Sequence, residues 1–103
     1  MIKVSVLYPN RTDGRFDLDY YTKTHVPLVL ERCGDAIKRG EIERGTASAG
    51  DNSSPPFRIV AHLLFESTEA MQASFGRHLA EFVADLPNFT DIEPVVQVSE
   101  VLL

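Results

Sequence analysis

The sequence predicts an α+β domain whose elements follow the order strand, helix, strand, strand, helix, strand. Three observations carry that reading. Residues 57–65 alternate strictly, with Phe57, Ile59, Ala61, Leu63 and Phe65 on one face and Arg58, Val60, His62 and Leu64 on the other, the period of a half-buried strand. Residues 2–8 alternate in the same way. Elsewhere apolar side chains recur at helical spacing: Leu18, Tyr21, Leu28 and Val29 with His25 among them, then Met71, Phe75, Leu79 and Phe82 with His78 among them.

Taken in order, strand 1 ends at Pro9, and Asn10, Thr12, Asp13 and Gly14 mark a loop. Asp17 is placed to cap the first helix, with Phe16 and Tyr21 as a hydrophobic staple around it, and Gly34 stops it. Pro27 stands inside that helix, where a proline removes a backbone hydrogen bond and clashes one turn back at about 3 kcal/mol. A bend at Val26 that aims His25 is the expected compensation. Residues 37–47 are charged and contain Gly40 and Gly45, which suits an exposed or bulged second strand. Residues 48–56, SAGDNSSPP, have no apolar period and read as a mobile hairpin loop before strand 3. Ser67 caps the second helix, Gly76 is expected to break it, and Pro87, Asn88, Thr90 and Asp91 close it. Residues 94–103 supply the last strand.

Right-handed crossovers place both helices on one face of a four-stranded antiparallel sheet, the ferredoxin-like βαββαβ arrangement. The other face then carries Leu7, Val60, His62 and Leu64, and an exposed apolar patch of that kind marks an interface. A single domain of 103 residues buries only roughly two-thirds of its chain surface and gains from a partner. A homodimer with two sheets packed face to face is therefore expected.

Composition narrows the function. A formal net charge of −5 and a pI near 5.0 oppose binding to nucleic-acid phosphates or to anionic membranes. No apolar run approaches the ~18 residues of a membrane span, and the first residues form no cationic leader, so the expected location is the cytoplasm. Cys33 is the only cysteine, which excludes an intrachain disulfide and a multi-cysteine metal site. No HExxH, H-x-H, G-x-G-x-x-G or Walker pattern occurs, so neither a metal nor a nucleotide cofactor is expected. Haem is not expected either, because a porphyrin needs a large cavity beside its axial imidazole.

The runs FDLDYYTKTHVPLV, HLLFEST and PNFTDIEPVVQVSEV resemble the EthD family, named for ethyl tert-butyl ether degradation. The resemblance covers nearly the whole chain, and its most specific part is Tyr20 and Tyr21 followed by His25, Val26, Pro27 and Leu28. It implies a dimeric α+β barrel, in agreement with the argument from the sheet. Relatives of that fold include cofactor-independent monooxygenases of polyketide and quinone chemistry, muconolactone isomerases and haem-binding enzymes, so the fold implies no single reaction.

His25 lies one turn after Tyr21 and one turn before Leu28 and Val29, on the inward stripe of helix 1. Imidazole there suits proton transfer near neutral pH. Tyr20 and Tyr21 point about 100° apart on a helix; Tyr21 is the better partner for His25, with Tyr20 a substrate-binding candidate. His78 is placed to border the helix–sheet space, His62 to face the second sheet, and Asn88 and Phe89 to close one end of a pocket. Glu66, Glu69, Glu81 and Asp85 read as a solvated face. The expected function is a small enzyme without a cofactor that oxygenates or isomerises an apolar or aromatic metabolite in a degradation pathway. A noncatalytic module that holds such a hydrophobic molecule for a separate oxygenase is the alternative.

Overall fold

The computed structural model describes residues 1–103. Strand β1 (Ile2–Pro9) leads to helix α1 (residues 18–33), strands β2 (Ile37–Arg44) and β3 (Phe57–Phe65), helix α2 (residues 68–76), helix α3 (Leu79–Asp85) and strand β4 (Val95–Glu100). The sheet order is β2-β3-β1-β4 with every neighbouring pair antiparallel, the ferredoxin-like arrangement that the element order predicts. The last strand is shorter than residues 94–103, although the Val101 N–H still bonds the Met1 carbonyl. No helix is long and apolar enough to cross a membrane.

Helix α1 begins as its sequence dictates. The Asp17 carboxylate accepts the Tyr20 N–H at 3.0 Å, the Phe16 and Tyr21 rings meet edge to face at 5.1 Å, and Gly34 ends the helix at φ 54°, a conformation glycine adopts without strain. Pro27 is handled differently from the expected bend. The backbone widens into a π-helical turn over Tyr21–His25, where the Val26 N–H reaches back five residues to the Tyr21 carbonyl. Pro27 thereby falls in the first turn of the α-helical segment Val26–Cys33, where a missing N–H costs least. Residues four apart come nearly into line on the wider turn, and the Tyr21 and His25 rings stack at 5.7 Å with 18° between their planes.

Ser67 caps α2 by accepting the Ala70 N–H at 3.1 Å. A second π-helical turn, Gln72–Gly76, is followed by the break at residues 77–78 that Gly76 foretells. Helix α3 then packs across α1, with Arg32 clamping Glu81 through contacts of 2.9 and 3.0 Å.

The helix-facing core divides in two. One cluster joins Val4, Leu63 and Phe65 of the sheet to Val29, Phe75 and Phe82 of the helices. The other centres on Tyr8, Tyr21, Ile59, Phe89 and Ile92. Val6 packs against both. The open sheet face carries Leu7, Val60, His62 and Leu64 as expected, but pairing sets charged and polar neighbours beside them. Glu41, His62, Ser5 and Gln97 form one row across all four strands, so the apolar patch is confined to residues such as Leu7, Val60, Leu64 and Val95 rather than continuous.

Candidate functional site

Tyr21, His25 and Val29 are buried on the inward stripe of α1. The His25 Nδ1 lies 2.8 Å from the Asp85 Oδ2, at the C-terminal end of α3. The other Asp85 oxygen accepts the Tyr20 hydroxyl at 2.7 Å and the Asn88 side-chain amide at 2.9 Å. Burial pushes the Asp85 carboxyl up, but hydrogen bonds from Asn88, Tyr20 and His25 outweigh it and hold the group below its ordinary pKa. Asp85 is therefore a carboxylate that can only accept. It accepts from His25 Nδ1 and so leaves Nε2 as the ring nitrogen available for proton transfer.

That second nitrogen has open space to face. Nε2 has no protein partner, and no fully occluded side-chain nitrogen or oxygen lacks one. The space His25 borders is a cavity between the two halves of the core. It is a cleft rather than a closed chamber: its volume is about 70 Å³, and the unfilled space in and around it, part of it open solvent, is about 600 Å³. Of its 17 lining residues 15 are hydrophobic, and His25 is the only imidazole or carboxylate among them.

Tyr8 and Tyr21 line the same cavity, their rings edge to face at 5.8 Å. Burial pushes the Tyr21 phenol up to about 12. It pushes Tyr8 higher still, with the nearby Tyr21 adding to the effect. Both are neutral hydrogen-bond donors at any physiological pH. Phe89, fully buried, holds the imidazole from the side with its ring 4.5 Å from His25.

The structure thus gathers Tyr20, Tyr21, His25, Asn88 and Phe89 around one centre, with roles that differ by residue. Tyr21 and His25 meet the cavity; Tyr20 and Asn88 bind Asp85 behind the imidazole; Phe89 packs against it. His78 stands at the α2–α3 break, 6.3 Å from the Phe82 ring and 3.9 Å from Glu81, and is not part of the cavity wall. His62 lies on the opposite sheet face, with Nδ1 2.9 Å from the Ser5 hydroxyl and Nε2 3.4 Å from Glu43. No three His, Cys, Asp or Glu side chains come together as a metal-ligand set. Cys33 is buried, which raises its thiol pKa and disfavours the thiolate.

Two residues of the centre escape the sequence reading. Asp85 is not part of a solvated face, since its side chain is only 12% exposed. The available signal is its position: an acid in the last turn of a helix opposes the helix dipole and needs a local partner. Tyr8 is signalled by strand alternation, which puts it on the face of Val4 and Val6.

The EthD domain model matches residues 12–93. An EthD-like protein of Ralstonia eutropha JMP134 is 38% identical, with 99% of this chain and 92% of that chain covered and a TM-score of 0.89. An ethyl tert-butyl ether degradation (EthD) family protein of Bacillus halodurans C-125 shares the fold at 15% identity, with 99% of each chain covered and a TM-score of 0.71. A protein of Arabidopsis thaliana does so at 11% identity, with 100% of this chain and 97% of that chain covered and a TM-score of 0.70. No curated protein matches the chain.

Proposed function

This chain belongs to the EthD family, and we propose that it is a cofactor-independent enzyme that takes a proton from the carbon beside the carbonyl of an apolar or aromatic metabolite. One observation carries the reading: a histidine oriented by a buried carboxylate is the only imidazole or carboxylate on the wall of an otherwise apolar cavity. His25 Nε2 accepts the proton, and Asp85 stabilises the resulting imidazolium. The neutral phenols of Tyr8 and Tyr21, which line the same cavity, supply the donors for the enolate oxygen. Return of the proton to a different carbon is an isomerisation, and transfer of an electron from the enolate to dioxygen begins an oxygenation. Both suit a degradation pathway.

The apolar row of Val60, Leu7 and Val95 on the open sheet face supports a homodimer joined through that face. The test of the chemistry is exchange of the α-protons of 1-tetralone in D2O, followed by NMR. The protein at substoichiometric concentration is expected to accelerate exchange, and a rate equal to buffer alone would contradict the proposal.

The preponderance of apolar lining residues also favours a second reading, a binding module that holds a hydrophobic molecule for a separate oxygenase. It predicts saturable binding of 1-tetralone with no acceleration of exchange.

A further inference from the structure

Four buried side chains of β3 face the helices: Ile59, Ala61, Leu63 and Phe65. Three are large and one is small. Ala61 is 5% exposed and lines the cavity. It pairs across the sheet with Val6 of β1 and with Ile42 of β2, and Val6 pairs in turn with Val96 of β4. Ile42, Ala61, Val6 and Val96 therefore form one apolar row beneath the cleft, roughly 14 Å long at an inter-strand spacing of about 4.8 Å. The next row toward the chemical end holds the pair Ile59 and Tyr8, so the small side chain sits one step from a proposed oxyanion donor.

The ends of this row differ from its middle. Ile42 is 39% exposed and Val96 46%, whereas Ala61 and its paired Val6 lie below the helices. The cleft volume of about 70 Å³ is smaller than the ~150 Å³ of a cavity that encloses a benzene ring. A ring-sized substrate is therefore not enclosed, and the apolar row, all four of whose residues line the cleft, is the floor on which it can lie.

Building on the acid–base reading of the site, we propose that Ala61 is its size-determining residue. The missing side-chain volume at Ala61 admits a flat, fused-ring ketone along the row, with its carbonyl toward Tyr8 and Tyr21 and its α-carbon toward His25. A larger residue at position 61 closes the floor to fused rings while leaving the acid–base groups in place.

The experiment compares binding of 1-tetralone and of the smaller cyclopentanone, by NMR titration, to the wild-type protein and to Ala61→Leu, with melting temperature measured on the same samples. Added methylenes in an apolar site change affinity by about tenfold or more. Ala61→Leu is expected to lose 1-tetralone affinity by at least that factor, to bind cyclopentanone within about threefold of wild type on the same scale, and to melt no lower than wild type. If Ala61→Leu does not fold, the same ranking is read from Ala61→Val, whose β-branched side chain suits a strand. Equal loss of both ketones, or undiminished binding of 1-tetralone by the folded variant, would overturn the role of Ala61 and leave the acid–base reading standing. Failure of the wild-type protein to bind either ketone or to exchange its α-protons would instead remove the acid–base reading, and the role of Ala61 with it.

Discussion

The His25 Nδ1 and the Asp85 Oδ2 are 2.8 Å apart and sixty residues apart in the chain, joining the middle of α1 to the end of α3. The contact is shielded from solvent, with side chains 8% and 12% exposed. Breaking one side of a buried charged hydrogen bond leaves its partner unsatisfied, so the pair ties stability and proposed chemistry to the same atoms.

Asp85→Asn keeps the size of the side chain and removes its charge. The folded-state pKa of Asp85 is lowered, so its ionised form stabilises the native state at pH values above the unfolded carboxyl pKa of about 3.9. That contribution disappears as pH falls through the lower folded value. Thermal melts between pH 7 and pH 2 should show the wild-type protein losing stability on the acid side, and Asp85→Asn, already less stable at pH 7, losing less over that interval. Identical acid limbs would show that Asp85 contributes nothing to the pH dependence.

Pro27→Ala should be mild. A proline compatible with its backbone stabilises chiefly by restricting the unfolded chain, an effect of about 0.4–1 kcal/mol. Urea unfolding of Pro27→Ala is expected to show a loss of that size, with 1-tetralone exchange retained. A loss of about 3 kcal/mol or more, beyond that unfolded-state effect, would mean that the proline itself holds the π-helical turn and the stacked Tyr21 and His25.

Val60→Glu places a charge in the apolar part of the open sheet face, opposite Leu7 and beside Glu43. Light scattering at micromolar concentration should give a dimer for the wild-type protein and a monomer for the variant. A wild-type monomer would remove the proposed interface.

The loop at residues 48–54 bonds mainly to itself, through Ser48 to Ser53, Ser54 and Asn52. Asn10 fastens the chain only further on, at Pro55 and Pro56. Limited proteolysis should cut within residues 48–54 first, and cleavage starting in α3 instead would show that the helix over the cavity is the looser part.

The fold is legible because period and punctuation agree: strict alternation over Phe57–Phe65, caps at Asp17 and Ser67, stops at Pro9 and Gly34. The π-helical turn at Tyr21–His25 is not legible, because it is a change of hydrogen-bond register that leaves the apolar spacing nearly helical. His25 and Tyr21 can be found from the inward stripe of one helix. Asp85 cannot be paired with them by local spacing, since the packing of α3 across α1 decides which acid turns inward: Glu81 meets Arg32 at the surface, while Asp85, four residues later, meets His25 beneath it. His62 shows the converse, for strand alternation alone places it on the face away from the cavity.

The central claim is that His25 moves a proton at the wall of an apolar cavity. The most direct measurement is the rate of α-proton exchange of 1-tetralone in D2O with wild-type protein and with His25→Ala, on samples whose fold is checked by urea unfolding. Loss of the buried hydrogen bond should lower stability by about 1–3 kcal/mol. Loss of the base should lower protein-catalysed exchange by about 10²-fold or more. A folded His25→Ala protein that exchanges 1-tetralone as fast as wild type would contradict the claim and leave the histidine as packing for helix α1.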